Sequence, residues 1–151
     1  MMKMLKQIIN PNPISLNAIV LVRIIVGAYF IMHGHELFKT KAMEGFAGYL
    51  KTDLNFPLPT FMAYLRTSAE LFGGIMLLLG LFTRIGAFLI MITMLVATFT
   101  AGKGDLLGEA EFTIIYATLC FTIILVGAGK FSLDNFLFKR KFDETSKGQE
   151  K

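Results

Sequence analysis

The sequence predicts an all-α integral membrane protein, an antiparallel bundle of four transmembrane helices with a short amphipathic helix in the first outer loop. Three observations predict it. Of 151 residues, 54% are hydrophobic and 17% are charged, and the mean hydropathy is +0.61. A soluble domain of this size has too much exterior to hide so much apolar surface, whereas lipid as solvent removes the problem. The apolar residues also gather into four continuous runs, about Leu16 to Phe38, Phe61 to Phe82, Ile85 to Ala101 and Phe112 to Ala128. A membrane span takes roughly 20 mostly apolar residues. Finally, the runs are continuous rather than alternating, so they read as helices and not as the strands of a closed barrel.

Each boundary has its own chemistry. Asn10, Pro11, Asn12, Pro13 and Ser15 break the chain before the first span. Pro57 and Pro59 keep a helix from running into the second span, and Thr60 is placed to cap it. Thr83 and Arg84 leave a very short link between spans two and three, which predicts a helical hairpin. Gly102, Gly104 and Gly108 loosen the next link, and Gly127 and Gly129 end the fourth span. Within the first loop, Met43, Phe46, Ala47 and Leu50 recur at three- and four-residue steps, the pattern of a short helix lying at the membrane surface. The spacing divides the chain into a membrane domain over residues 1–138 and a polar, disordered tail over 139–151.

The formal net charge of +4 is a matter of topology in such a chain and not a footprint for nucleic acid. Lys3, Lys6, Arg84, Lys130, Lys139, Arg140 and Lys141 fall on one side, and Lys39, Lys41, Lys51 and Lys103 on the other. The positive-inside rule then places both termini in the cytoplasm. No cleavable signal peptide is expected, because the first span itself serves as the insertion signal. The single cysteine, Cys120, excludes an internal disulfide, and no metal site is expected.

Ionisable residues inside the spans are the candidates for function. A charge at the bilayer centre costs about 2.5 to 3.5 kcal/mol on insertion scales, so such a residue faces the bundle interior and finds a partner. Arg23, Arg66 and Glu70 lie within spans, and His33, His35, Glu36 and Glu111 lie near their outer ends. Arg66 and Glu70 are four residues apart and share a helix face. Gly73 and Gly74 continue near that face and suit a close helix contact. The expected cluster has Glu70 at its centre, Arg66 beside it, Arg23 reaching it from the first span, and Glu111 paired with Arg66. His33 and His35 point about 200° apart on a helix, so they cannot bind one metal or haem iron together. Arg23, His33, Arg66, Glu70 and Glu111 can form a substrate or proton site in the outer half of the bundle. The same residues can equally be structural ion pairs that fix helix register.

The run from Arg23 to Gly27, followed by His33-Gly34-His35-Glu36-Leu37-Phe38, resembles the opening of the DoxX family. So do Ala69-Glu70 with Gly73, Gly74, Gly80, Thr83 and Arg84, Glu111 at the head of the fourth span, and the stretch from Gly127 to Asp134. Many members carry a lysine where this chain has Glu36, so no role that needs a cation there carries over. The resemblance implies a bacterial inner-membrane protein of four helices. The family takes its name from a thiosulfate:quinone oxidoreductase whose small subunits look similar. A quinone is therefore the implied cofactor, and the five ionisable residues above its implied binding site.

The chain carries no flavin, haem or iron–sulfur motif, so at most it is the membrane subunit of a quinone-linked oxidoreductase. That reading calls for a protein partner or a homo-oligomer in the bilayer. The alternative is a non-catalytic scaffold, assembly factor or small transporter subunit whose charges only lock the helices together.

Overall fold

The computed structural model describes residues 18–137 except 102, 104, 106, 107, 109 and 130, so the expected N-terminal breakers and the polar tail lie outside the described residues. The described chain is all-helical. Helix α1 covers Ala18–Gly34 and continues as a 3-10 turn over His35–Phe38. It is followed by α2 (Thr40–Thr52), α3 (Pro59–Leu79), α4 (Thr83–Thr100) and α5 (Glu111–Val126). Ala18–Phe38, α3 and α4 are long and apolar enough to cross a membrane, whereas α5 is a shorter apolar helix. At about 1.5 Å per residue, the 16 residues of α5 reach about 24 Å. Large side chains such as Leu21, Ile25, Phe72, Phe88, Phe99 and Leu125 stand exposed around these helices. Only an apolar surrounding makes that favourable, and the chain is a multi-pass membrane protein.

Two helix starts differ from the sequence expectation. Pro59 does not precede α3 but opens it, because a first-turn residue needs no amide donor and proline already holds the helical φ. Leu58, at φ 51°, is the N-cap, and Thr60 makes no capping hydrogen bond. Thr83 and Arg84 belong to α4, and the hairpin link is the three residues 80–82 instead. Gly80 takes φ 67° and its amide turns back to the Leu77 carbonyl, while the Leu81 amide donates to Met76. This is a C-terminal cap that glycine accommodates without strain.

Helix α3 is the hub. One side meets α1 so closely that a Cβ on Gly74 would lie 2.9 Å from the Gly27 carbonyl oxygen, and one on Gly27 would lie 2.7 Å from the Leu78 amide nitrogen. The other side meets α4, where a Cβ on Gly73 would lie 2.9 Å from the Gly86 carbonyl oxygen. Adjacent glycines thus serve opposite neighbours, and backbones approach at distances only small residues permit. Further along α1, Gly34 abuts Leu71, so rising numbers on α1 meet falling numbers on α3. Helix α5 packs on α4, with Thr98 and Thr113 hydroxyls 2.8 Å apart. The core between the helices is built from Val26, Phe30, Leu77, Ile90, Cys120 and Ile123. Helix α2 lies on the start of α3 and buries Met43 and Leu50 against Ala63.

Candidate functional site

The ionisable residues within the helices form two separate groups. The first sits at the end of the assembly that carries α2. Glu70 is 2% exposed, and its Oε1 lies 2.8 Å from Arg66 Nη2, one helical turn away. The two charges are in direct contact. Arg66 Nε is buried without a hydrogen-bond partner among the described residues. Arg66 is held from the other side by α2, its guanidinium carbon 4.7 Å from the centre of the Phe46 ring. His33 and Glu36, at the end of α1, are within electrostatic reach of Glu70. The His33 ring leans on Tyr29 with centroids 4.5 Å apart, and Tyr29 stacks on Tyr116 of α5 at 4.6 Å. The neighbouring His35 is exposed and donates through Nδ1 to the Met32 carbonyl.

The second group sits at the hairpin end and is a clasp. Arg23, 2% exposed, donates from Nη1 to Ala128 O at 2.6 Å and from Nη2 to Phe131 O at 2.9 Å. Those carbonyls are presented by the chain just after α5, where Gly127 and Gly129 adopt φ 87° and 77°. Three residues beyond Phe131, the Asp134 carboxylate accepts from the amides of Phe82 at 2.8 Å and Thr83 at 3.0 Å. Asp134 thereby caps the start of α4, and its own amide donates to Gly80 O at 2.9 Å. The segment following α5 is in this way tied both to α1 and to the α3–α4 turn.

This arrangement corrects two sequence expectations. Arg23 does not reach Glu70. Gly34, not Arg23, is level with Leu71, and 11 residues at about 1.5 Å each put Arg23 about 16 Å from that level. The register between α1 and α3 decides the matter, and it is invisible in either span alone. Glu111 does not pair with Arg66: it is the exposed first residue of α5 and makes no ion pair among the described residues. Of the five expected residues, the structure puts Arg66 and Glu70 in contact and leaves His33 within electrostatic reach of Glu70. It adds Phe46, Tyr29 and Tyr116, which sequence reasoning left out. Tyr29 had a signal, since it lies one turn before His33 on the same face. Phe46 and Tyr116 had none, because their neighbours are far away in the chain.

The DoxX family profile matches residues 18–103. The protein named "Putative oxidoreductase CatD" of Bacillus subtilis (strain 168) is 36% identical over 122 residues, covering 80% of this chain and 87% of that protein. An uncharacterized protein of Haemophilus influenzae (strain ATCC 51907 / DSM 11121 / KW20 / Rd) is 34% identical over 125 residues, covering 78% of this chain and 89% of its own length. No solved structure matches the chain. Extent of match and level of identity lead to one assignment: the chain belongs to the DoxX family.

Proposed function

We propose that this protein is a quinone-binding membrane subunit of a redox system. One observation carries the reading. Glu70 is shut away from solvent and in contact with the partly exposed Arg66, yet Arg66 Nε is buried without a hydrogen-bond partner among the described residues. An unsatisfied buried polar atom costs about 1 to 3 kcal/mol, and a carbonyl or hydroxyl oxygen of a ligand relieves that cost. The head group of a quinone offers such oxygens on a planar, lipid-soluble ring, and His33 supplies a further polar contact. The printed name of the Bacillus subtilis relative supports a redox role. Electrons would come from a soluble protein partner, since the sequence carries no electron-carrier motif of its own.

In this proposal α1, α3, α4 and α5 are four antiparallel spans of a bacterial inner membrane, with both termini cytoplasmic. Helix α2 rests at the outer surface beside the site. Residues 1–138 make the membrane domain, and 139–151 a polar cytoplasmic tail. The experiment is to purify the protein in lipid nanodiscs, extract lipid-soluble molecules, and measure binding of ubiquinone-1. Saturable binding that Glu70→Gln weakens supports the reading. A wild-type protein that retains no quinone and binds none would end it. A second reading, a non-catalytic scaffold, is favoured by the clasp at Arg23, where a buried guanidinium ties two backbone carbonyls from beyond α5 to α1.

A further inference from the structure

Helices α3 and α4 are each long and apolar enough to cross the bilayer, so the turn over residues 80–82 that joins them lies at a membrane face, among the lipid head groups. A cleft of about 530 Å³ opens there, between the start of α4 and the segment that follows α5. It lies at the opposite end of the assembly from Glu70 and owes nothing to that site.

The polar side of the cleft holds more donors than the protein uses. Arg84 is exposed, and among the described residues its guanidinium makes no ion pair and no hydrogen bond. It lies over the turn after α5, where a Cβ on Gly127 would be 3.7 Å from Arg84 Nη2 and 3.9 Å from Nε. Gly127 and Gly129, at φ 87° and 77°, turn the chain away from the helix. The amides of Ala128 and Gly129, both in the lining, donate to no acceptor among the described residues. Successive amides freed by a turn are a common part of anion sites. Thr83 lines the cleft as well, is 1% exposed, and has a buried hydroxyl without a partner among the described residues.

The carboxylate in the lining does not answer these donors. Asp134 accepts from the Phe82 amide through Oδ1 at 2.8 Å and from the Thr83 amide through Oδ2 at 3.0 Å, and it forms no ion pair with Arg84. The rest of the lining is apolar: Phe82, Ile85 and Val126 are all exposed along the lipid-facing side of the cleft.

From this donor set we infer that the cleft binds a phosphate group, and that the phosphate belongs to a phospholipid. Phosphate oxygens match the fork of a guanidinium and leave further acceptors for amides and a hydroxyl. Basic pockets between spanning helices hold lipid head groups in the same way. The apolar side decides the source. Acyl chains cover Phe82, Ile85 and Val126, whereas inorganic phosphate leaves them untouched.

The test titrates the full-length protein in dodecyl maltoside micelles, which carry no phosphate, with dioleoylphosphatidylglycerol. Native mass spectrometry counts the lipid retained. Binding should saturate. Arg84→Gln should weaken it roughly tenfold or more, the loss of a charge-assisted hydrogen bond. Arg84→Lys should weaken it about threefold, since an ammonium keeps the charge and loses the fork. Because Arg84 is exposed and unpaired, both variants should melt at the wild-type temperature. Lys51→Gln, an exposed cation on α2, should bind as the wild type does. Absence of saturable binding overturns the site. Equal losses in Arg84→Gln and Lys51→Gln overturn it too, because the lipid then answers to charge anywhere on the protein. Dioleoylglycerol, which has no phosphate, should be retained poorly, and equal retention would overturn phosphate recognition. Displacement of the lipid by inorganic phosphate at equal concentration would overturn the lipid as its source.

Discussion

Removing Arg66 should damage the fold more than removing Glu70. From the chain alone the order is the reverse, since Arg23 would remain as a second partner for Glu70. The structure takes that partner away, because Arg23 donates to Ala128 and Phe131 instead. The two members of the remaining pair are unequally placed. The Glu70 side chain is 3% exposed and that of Arg66 is 36% exposed. In Arg66→Gln a carboxylate stays buried with no cation beside it, a situation that costs about 3 to 5 kcal/mol when one partner of a buried pair is lost. In Glu70→Gln the orphan is a long, partly exposed guanidinium that keeps its Phe46 contact and can swing to the interface. Its pairing energy is that of a partly exposed ion pair, about 1 kcal/mol or less. The expected gap is therefore roughly 2 to 4 kcal/mol. Far-UV circular dichroism during unfolding in mixed detergent micelles would measure it. The double variant Arg66→Gln/Glu70→Gln should recover part of the loss, since no buried charge remains. A Glu70→Gln protein less stable than Arg66→Gln, or a double variant weaker than both, would refute this reasoning.

Gly74→Ala should destabilise the α1–α3 contact by about 1 to 3 kcal/mol, since its new Cβ meets the Gly27 carbonyl at 2.9 Å. Unchanged stability in detergent would show that the helices separate freely there. Asp134→Ala should cost about 1 to 2 kcal/mol through the lost cap on α4 and should speed amide exchange at Phe82 and Thr83. Exchange rates equal to wild type at both amides would count against the cap. Cysteines placed at Lys6 and Lys103 should label from opposite sides of the membrane, with native Cys120 silent because it is buried. Labelling of both from one side would contradict the four-span arrangement.

What the sequence reveals is what depends on one helix at a time. The Arg66–Glu70 pair follows from spacing within α3, and the placement of Gly73 and Gly74 at helix contacts follows from their size. The partner of Arg23 does not follow, because it depends on how far α1 slides along its neighbours and on carbonyls over 100 residues away. The Asp134 cap is hidden for the same reason. A search for local caps finds Thr60 at the start of α3, yet the group that serves the start of α4 comes from beyond α5. The stack of Tyr29 on Tyr116 is hidden differently. Fifteen phenylalanines and four tyrosines are spread through a chain that is apolar nearly everywhere, so nothing in their pattern marks the few that face one another.

The clasp has a consequence for biogenesis. Arg23 is among the first residues of the described chain to reach the translocon, but its carbonyl partners are made more than 100 residues later. During that interval the guanidinium has no resident acceptor, and the start of α4 has no cap. The newborn chain therefore stays unlatched until its fourth apolar helix has been made, and the segment after α5 then closes both ends of the latch at once. A chain stopped before residue 128 would present an unsatisfied arginine within the membrane, a mark by which a quality-control protease can tell a partial product from a finished one. Pulse-chase turnover of such a truncated chain, with and without Arg23→Leu, would read this directly: if the arginine is the mark, its removal prolongs the half-life.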